Sequence, residues 1–515
     1  MEEGATDCAV LYLHRAATTL VISFVGGKIL AYKDLREFIA ALEERGLLKR
    51  ITAEVDPELE ITEITDRISK REGEKNVALL FENVKGSKMP VLMNAFGSYE
   101  RMALAFGVEK LDDIADELTE ILKIPHISLQ NKMNLMTLIP MARKAINFPK
   151  YVKNAPCQEV IETEHPNLDE IPILKCWPDD GGPFVTLPLV FTKNPATGKR
   201  NVGMYRLQKY DSRTTGMHWH IHKNGAENFR DMKERGGQRI EAAVAIGTDP
   251  VVTYAATAPL PRDIDEMVFA GFLRHKSVEL VKCITVDLEV PATAEIILEG
   301  YVDTNEMRRE GPFGDHTGYY SLADDYPVFH ITAITHRKDP IYSATVVGKP
   351  PMEDCFLAKA TERIFLPLLK QILPEVVDVN MPLEGVFHDC IVVSIKKQFP
   401  MHARKVMHAL WGMGQMMNVK MIIVVDAHVN VQDMKEVWWR VFNNIDAKYD
   451  LEIVQGPLDV LDHSSPMAKW GSKLGIDATK TWPEEGHTRA WPDEITMTEE
   501  VVARVSARWK EFGLD

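Results

Sequence analysis

Several signatures of common protein classes are missing from this sequence of 515 residues. The six cysteines are scattered without a C-x-x-C pair, which argues against a disulfide framework or a thiolate zinc site and favours a reducing, cytoplasmic location. No phosphate-loop motif, no G-x-G-x-x-G after a predicted strand and no G-x-S-x-G hydrolase elbow is found. The net charge of -15 disfavours nucleic-acid binding, which normally uses a basic face.

Long hydrophobic runs are also missing. Residues 16–30 are mildly apolar, but this run is short and the acids Glu2, Glu3 and Asp7 precede it. A signal peptide has a basic start, and a membrane span has about 20 apolar residues. We therefore expect neither, and we interpret this stretch as a dispensable extension or as the product of a start codon placed too early.

The remaining composition is that of a soluble globular protein, with 45% apolar and 26% charged residues. The length predicts two to four domains. Apolar residues at helical spacing (Leu35, Phe38, Ile39 and Leu42) predict a helix that begins near Asp34. Further helices and two short strands, at 77–81 and 91–94, predict a small α/β domain that ends near residue 145.

The centre of the chain is richer in strand patterns. Strands are predicted at 187–192, 201–209, 217–222, 240–246, 282–286, 294–302 and 328–335, which suggests a β-barrel. After residue 346, strands at 390–395, 421–426 and 451–455 alternate with helices. This alternation predicts a parallel, doubly wound sheet. The fold class is therefore mixed α/β with a strand-rich centre.

The stretch Glu310-Gly-Pro-Phe-Gly-Asp315 places two carboxylates five residues apart. Its glycines and proline cannot continue a helix or a central strand, so we predict that Glu310 and Asp315 lie on a folded loop. Two nearby carboxylates repel, which raises the pKa of one of them and creates an acid/base device. A Gly-rich turn with solvated acids is the alternative.

Three histidines alternate in Met217-His-Trp-His-Ile-His222. On a strand, His218, His220 and His222 would face one side, where imidazoles can bind a metal or fill a structural role. Arg206 lies on the preceding predicted strand, close to His218, and its guanidinium could bind a substrate carboxylate while pairing with Glu310. An ordinary surface ion pair is the alternative.

Two oxygen-bearing residues complete this group of candidates. Asn201 precedes Arg206 by five positions, which on an ideal strand places the two on opposite faces, so a bulge, or a ligand seated around the strand, would be needed to combine them. Glu266 lies near the start of a predicted helix over 263–274, where acids are also favoured by the helix dipole. The residue patterns alone indicate an α/β protein with a β-barrel centre, and they favour an enzyme.

Several segments, in order from about residue 31 to the end, resemble the UbiD family of decarboxylases. They are 32–38 (YKDLREF), 57–67 (PELEITEITDR), 78–83 (ALLFEN), 155–157 (APC), 171–173 (IPI), 176–178 (CWP), 201–206 (NVGMYR), 269–274 (FAGFLR), 288–292 (LEVPA), 299–301 (EGY), 310–320 (EGPFGDHTGYY) and 471–478 (GSKLGIDA). The chain is most similar to the 4-hydroxy-3-polyprenylbenzoate decarboxylase branch.

The resemblance implies a domain plan. Residues 1–30 form an extension outside the family pattern, and 31–145 form an N-terminal α/β domain. Residues 146–345 form a split β-barrel that binds flavin, and 346–515 form a C-terminal α/β domain with a terminal helix, used in oligomerisation. A homo-oligomer, either a dimer or a hexamer, is expected. A polyprenylated substrate would also allow peripheral association of this cytoplasmic protein with a membrane.

The resemblance also implies prenylated FMN as cofactor, made by a separate flavin prenyltransferase, with a divalent metal, usually Mn²⁺, and often K⁺ at its phosphate. Asn201 and Glu266 match the metal-binding Asn and Glu of the family. His218 is the predicted imidazole ligand and His220 its competitor, because some relatives carry Arg at the position of His218. This donor set suits Mn²⁺ better than tetrahedral zinc. The predicted cofactor contacts are Asn201, Met204, Tyr205, Arg206, His218, Trp219, His220 and Lys223.

Arg206, Glu310 and Asp315 match the catalytic Arg-Glu-Asp/Glu set of the family, with Asp at the third position as in the polyprenylbenzoate branch. The implied activity is reversible, non-oxidative decarboxylation of an aromatic carboxylic acid with release of CO₂. A 4-hydroxy-3-polyprenylbenzoate-like acid is the expected substrate, and a small phenolic or heteroaromatic acid is the alternative. A non-catalytic flavin-binding subunit of a carboxylase complex is the alternative of another class.

Overall fold

The computed structural model describes residues 31–71, 73–123, 147–219, 224–261 and 264–514. The α-helices of these residues are α1 (Leu35–Glu44), α2 (Glu60–Ser69), α3 (Tyr99–Phe106), α4 (Asp112–Lys123), α5 (Asn224–Glu234), α6 (Pro250–Ala255), α7 (Glu266–Leu273), α8 (Glu353–Ile372), α9 (His402–Trp411), α10 (Met434–Asn444) and α11 (Glu499–Ala507). The predicted extension over residues 1–30 lies outside the described residues.

The strands are β1 (Leu48–Ile51), β2 (Ala78–Phe81), β3 (Val91–Met93), β4 (Lys150–Val152), β5 (Val160–Glu162), β6 (Phe184–Val185), β7 (Leu189–Lys193), β8 (Arg200–Met204), β9 (Leu207–Gln208), β10 (Thr214–Gly216), β11 (Arg239–Ile246), β12 (Glu279–Lys282), β13 (Glu289–Pro291), β14 (Ile296–Glu310), β15 (Phe313–Gly314), β16 (Tyr320–Ser321), β17 (Asp324–His336), β18 (Tyr342–Ser343), β19 (Val376–Asn380), β20 (Cys390–Ile395), β21 (Met421–Asp426), β22 (Leu451–Pro457) and β23 (Trp470–Asp477). The mixed α/β fold class with a strand-rich centre is confirmed.

The N-terminal region begins with the predicted helix. The side chain of Asp34 caps α1 by accepting a hydrogen bond from the backbone N–H of Glu37. The helix buries the four apolar residues of the predicted face. A small sheet in the order β1-β2-β3-β18 packs beside α1, and its last strand comes from residues 342–343. The chain therefore returns to its first sheet after it has built the centre.

The centre is a seven-stranded sheet in the order β10-β17-β14-β11-β7-β8, with β5 paired to β17. Both of its faces are buried, because alternate residues of β11 enter different hydrophobic clusters. Val244 belongs to one cluster, and its neighbours Ala243 and Ala245 belong to another. Apolar side chains therefore cover the central sheet on both faces.

The longest strand, β14, spans 15 residues and crosses from this core to the site described below. Its pairing with β17 shifts register between Glu299 and Gly300 and again between Val302 and Met307. A Cβ atom on Gly300 would lie 1.9 Å from the carbonyl oxygen of His330, so only glycine fits at the first shift.

The C-terminal region contains a five-stranded sheet in the order β19-β20-β21-β23-β22. β20, β21 and β23 run parallel, but β19 and β22 run antiparallel to their neighbours. The sheet is mixed, so the prediction of a parallel sheet is wrong at its two edge strands. Helix α11 buries none of its residues. No helix among the described residues combines the length and the apolar character needed to cross a membrane.

Candidate active site

Arg206 lies between two buried carboxylates. Its Nε donates to Oε1 of Glu310 at 3.1 Å, and its Nη1 donates to Oδ2 of Asp315 at 2.5 Å. The ring centroid of Phe313 lies 4.3 Å from the guanidinium carbon, so the cation also contacts an aromatic face. Nη2 donates to the hydroxyl of Ser321 at 3.0 Å. The three residues predicted to be catalytic therefore form one hydrogen-bonded network.

The two carboxylates occupy different kinds of backbone. Glu310 is the last residue of β14 and pairs with Asp324 of β17, so the prediction that it lies on a folded loop is wrong. Asp315 directly follows the short strand β15, after the turn at Gly311 and Pro312. The side chain of Glu310 is fully buried and that of Asp315 is 7% exposed. Two acids this well shielded interact strongly with the one guanidinium between them.

Arg206 reaches this position because β8 ends at Met204. The bulge expected from the spacing between Asn201 and Arg206 is therefore not needed, since Arg206 has already left the strand. The backbone carbonyl of Arg206 accepts a hydrogen bond from the N–H of His218 at 3.4 Å. The two predicted segments thus meet as expected.

His218 follows β10 and does not lie on a strand, so the predicted strand over 217–222 is wrong at this residue. Nδ1 of His218 lies 2.6 Å from Oε1 of Glu310, and the imidazole stacks on Tyr326 with ring centroids 4.1 Å apart. Burial, and then the nearby charge of Arg206, lower the pKa of His218. A neutral imidazole therefore donates to Glu310. His220, His222 and Lys223 lie outside the described residues.

The pKa of Asp315 is shifted in the opposite direction to the sequence prediction. Burial alone would raise the pKa of Asp315, but the charge of Arg206 and hydrogen bonding to His316 together hold it well below its usual range. The prediction of a raised pKa is therefore wrong, because the carboxylate is stabilised by a guanidinium and an imidazole. Asp315 is ionised in this arrangement and needs a proton from another group before it can act as an acid.

Asn201 and Glu266 adjoin each other at the start of β8 and of α7. Oε2 of Glu266 accepts from the backbone N–H of Val202 at 2.9 Å, and burial raises the pKa of Glu266 to about 8. The amide nitrogen of Asn201 is buried and has no hydrogen-bond partner. In the described part of the chain, no three His, Cys, Asp or Glu side chains cluster as a metal site. The set Asn201, His218 and Glu266 stays a prediction.

The remaining described residues among the predicted cofactor contacts flank this region. Met204 ends β8 and is half-buried. Tyr205 is 7% exposed, and burial raises its pKa to about 12. The indole of Trp219 packs against Phe229 with ring centroids 5.5 Å apart, and its buried N–H has no hydrogen-bond partner. Contact of these side chains with a cofactor stays a prediction.

The sequence of this chain matches the models of three known protein domains. Residues 39–118, 150–350 and 355–478 match the N-terminal, Rift-related and C-terminal domains of 3-octaprenyl-4-hydroxybenzoate carboxy-lyase, respectively. The chain belongs to the UbiD family. Members of this family are aromatic-acid carboxy-lyases that use prenylated FMN.

Relatives and solved structures agree with this membership. A protein from Archaeoglobus fulgidus, described only as uncharacterized, is 54% identical over 485 residues, covering 94% of this chain and 99% of the relative. Vanillic acid decarboxylase of Sedimentibacter hydroxybenzoicus, in its closed form, is 30% identical with a TM-score of 0.81, over 93% of this chain and 100% of that chain. An evolved dimeric form of HmfF from Pelotomaculum thermopropionicum, in complex with prenylated FMN, is 29% identical with a TM-score of 0.75, over 90% and 97%.

One supporting residue of this UbiD site was missed in the sequence. Asp180 accepts hydrogen bonds from the backbone N–H groups of Gly314 at 2.7 Å, Trp177 at 2.8 Å and Cys176 at 3.1 Å. A Cβ on Gly314 would lie 2.1 Å from Trp177, so the turn packs directly on this indole. Asp180 follows the CWP segment already noted, and two adjacent acids before two glycines were the available signal.

A second support comes from Gln208, whose side-chain oxygen accepts from the backbone N–H of Gly311 at 2.7 Å. Gly181 packs on the same turn, since a Cβ there would lie 2.3 Å from the carbonyl oxygen of Gly311. The turn between Glu310 and Asp315 is therefore held from both sides. Its geometry is fixed by the surrounding chain and not by its own sequence alone.

Proposed function

We propose that this UbiD protein is a decarboxylase of aromatic carboxylic acids that uses prenylated FMN, with Arg206, Glu310 and Asp315 as its catalytic residues. The observation that supports it most directly is the buried network in which one guanidinium pairs with both acids. Charge of this kind is costly to bury and is concentrated at functional sites. A flavin-binding subunit without turnover would have no use for it.

Arg206 binds the substrate carboxylate in this proposal. Its two terminal nitrogens now contact Asp315 and Ser321, and a guanidinium can exchange such partners for an incoming carboxylate with bidentate geometry. Glu310 holds the Nε edge of the guanidinium at 3.1 Å, and its own Oε1 is also bonded to His218. Glu310 and His218 therefore fix the orientation of Arg206 while its outer edge changes partner.

Asp315 delivers the proton that replaces CO₂ on the ring carbon. When a substrate carboxylate takes over the charge of Arg206, Asp315 loses much of the interaction that lowers its pKa, and its proton affinity rises. Asp315 then takes up a proton and passes it to the carbon that has lost CO₂. The reverse sequence, removal of the ring proton by Asp315, accounts for carboxylation.

The residues present fit the implied cofactor and metal. Asn201 and Glu266 are both buried and could each offer a side-chain oxygen to a cation, and His218 donates one ring N–H to Glu310, as metal-binding histidines usually do to a carboxylate. These three residues would hold Mn²⁺, with K⁺ as a further cation, at the flavin phosphate. Met204, Tyr205, Trp219, His220 and Lys223 would line the cofactor with Arg206. Prenylated FMN, when bound, supplies the electron sink that loss of CO₂ from an sp² carbon requires.

The substrate class is a 4-hydroxybenzoate-like acid. The match to 3-octaprenyl-4-hydroxybenzoate carboxy-lyase domains supports a polyprenylated acid. The structural likeness to vanillic acid decarboxylase supports the second candidate, a small phenolic acid. A flavin prenyltransferase supplies the cofactor, and the protein works in the cytoplasm as a homo-oligomer.

The test is co-expression with a flavin prenyltransferase, followed by assays of the purified holoenzyme. We expect CO₂ release from at least one acid of a panel that includes prenylated 4-hydroxybenzoate, 4-hydroxybenzoate, vanillate and a heteroaromatic acid. Asp315→Asn should bind the flavin but lose turnover and ring-proton exchange. A modified flavin spectrum without turnover of any acid would favour the non-catalytic subunit instead.

A further inference from the structure

Asp315 continues into a chain of titratable side chains that the mechanism above does not use. Nδ1 of His316 lies 2.9 Å from Oδ1 of Asp315, and Nε2 of His316 lies 2.7 Å from Nε2 of His388. Nδ1 of His388 lies 3.0 Å from Oδ1 of Asp389. The first two residues belong to the turn of the catalytic site, and the last two precede β20 of the C-terminal sheet.

The distances determine where the protons lie. Two imidazole nitrogens 2.7 Å apart share one hydrogen, so one ring donates and the other accepts. An ionised Asp315 only accepts, so Nδ1 of His316 carries a hydrogen. Asp389 fixes the hydrogen of His388 on Nδ1 in the same way, which leaves Nε2 of His388 to accept. His316 then carries hydrogens on both nitrogens and is an imidazolium.

The charges around His316 favour this state. Burial alone would lower the pKa of His316, but its hydrogen bond to Asp315 and the charges of Asp315, Asp354 and Asp459 raise it. Asp354 lies in the first turn of helix α8 and Asp459 follows β22, so acids act on the ring from the C-terminal side as well as from its own turn. His388 completes the set of titratable neighbours.

The segment that carries His388 is held in a costly conformation. Val386 and Phe387 have φ angles of +42° and +52°, which non-glycine residues rarely adopt. This conformation stacks Phe387 on His316 with ring centroids 4.8 Å apart and places His388 against the edge of the same ring. Strain of this kind persists where a specific placement of side chains is needed.

We propose that His316 is the proton reservoir of Asp315, and that His388 and Asp389 are positioning residues that set its tautomer and hold its charge. This inference rests on the proposed decarboxylase function. His316 gives its Nδ1 proton to Asp315, and Asp315 gives a proton to the ring carbon that has lost CO₂. Nε2 of His316 keeps the hydrogen that it donates to His388, and Nδ1 then takes one proton from solvent, so each turnover consumes one proton.

Side-chain exposure increases along the chain from Asp315 to Asp389. It is 7% for Asp315, 15% for His316, 15% for His388 and 36% for Asp389. The donor is shielded, while the far end of the chain reaches solvent. His316 acts through Asp315, so its loss should change proton supply before it changes substrate binding.

The first test does not require turnover. Histidine labelled with ¹³C at Cε1 gives one NMR signal per imidazole, and the signal of His316 is identified by its loss in His316→Gln. We expect its titration midpoint above the ordinary value of about 6.5. In His388→Gln it should fall by about one pH unit, and in Asp389→Asn it should fall in the same direction. His408→Gln is the matched control, because His408 also pairs with a carboxylate, that of Glu452, but is 57% exposed.

The second test uses the holoenzyme. The alkaline limb of the kcat profile should move to lower pH in His388→Gln by the same amount as the NMR midpoint, with KM unchanged, and it should not move in His408→Gln. A midpoint of His316 at or below 6.5, or identical alkaline limbs in wild type and His388→Gln, would overturn the proposal. A higher KM with an unchanged profile would make these histidines substrate contacts instead. If no acid of the panel is turned over, the proposed function and the reservoir role both fail, and the NMR midpoints then show only whether His388 and Asp389 hold His316 as an imidazolium.

Discussion

Replacement of Asp180 by alanine tests how the turn of the catalytic acid is held. The buried carboxylate accepts three backbone hydrogen bonds, from Cys176, Trp177 and Gly314, at 2.7 to 3.1 Å. Gly314 immediately precedes Asp315, so its N–H is one residue from the proposed proton donor. In Asp180→Ala these three donors lose their common acceptor.

The expected loss of stability follows from these three hydrogen bonds. A hydrogen bond to a charged group contributes about 1.5–3 kcal/mol, and a buried donor left without a partner costs about 1–3 kcal/mol. Burial of the Asp180 carboxylate, which raises its pKa, offsets part of this gain. We therefore expect the free energy of unfolding to fall by about 3–5 kcal/mol. A displacement of Asp315 by about 1 Å would lower kcat roughly 100-fold.

Urea unfolding and steady-state decarboxylation measure the two effects. Asp179→Ala is the matched control, because Asp179 is the neighbouring acid and its side chain is exposed. It should change stability by less than about 0.5 kcal/mol. If Asp180→Ala lost less than about 1 kcal/mol and kept wild-type kcat, the view that Asp180 anchors the turn would be refuted.

Four further substitutions test the site. Arg206→Ala leaves the fully buried Glu310 without its cation, so urea unfolding should show a loss of about 3–5 kcal/mol, with no turnover. Gly216→Ala puts a Cβ 2.5 Å from Oε2 of Glu310, and kcat should fall about 10–100-fold while the flavin spectrum is retained. Glu266→Gln should weaken Mn²⁺ binding, measured by calorimetry, by more than about 100-fold, and unchanged affinity would remove Glu266 from the metal set. Because its pKa is raised in the folded protein, His316 stabilises the fold below about pH 6.5, and this stabilisation is lost as the pH rises through the raised pKa. His316→Gln should therefore lower the free energy of unfolding more at about pH 6 than at about pH 9.5. An equal loss at both pH values would contradict the assignment of His316 as an imidazolium.

Periodic patterns of apolar residues predicted the strands and the helix whose buried faces are regularly spaced along the sequence. The bounds of β20 and β21 match the prediction because each is a short apolar run buried on both faces. Helix α1 matches because its cap and its apolar face agree. Strand β23 was not predicted, since glycines and a lysine interrupt its pattern, and its place between β21 and β22 comes from long-range pairing.

The wrong predictions at the site also arose from contacts between residues far apart in the sequence. Glu310 was predicted to lie on a loop because glycine and proline follow it, but pairing with β17 extends β14 up to this residue. His218 was predicted on a strand because its neighbours alternate, but its backbone turns toward Arg206 after three strand residues. The pKa of Asp315 depends on a guanidinium 109 positions away in sequence, and residue spacing within one loop could not reveal it.

The length of β14 has a consequence for how this site can change. Because the side chains of a strand alternate between faces, one residue inserted between the second register shift and Glu310 would turn the carboxylate away from Arg206. Two inserted residues would restore the face but move the carboxylate by about 7 Å. Functional variants should therefore keep the number of residues from Met307 to Glu310.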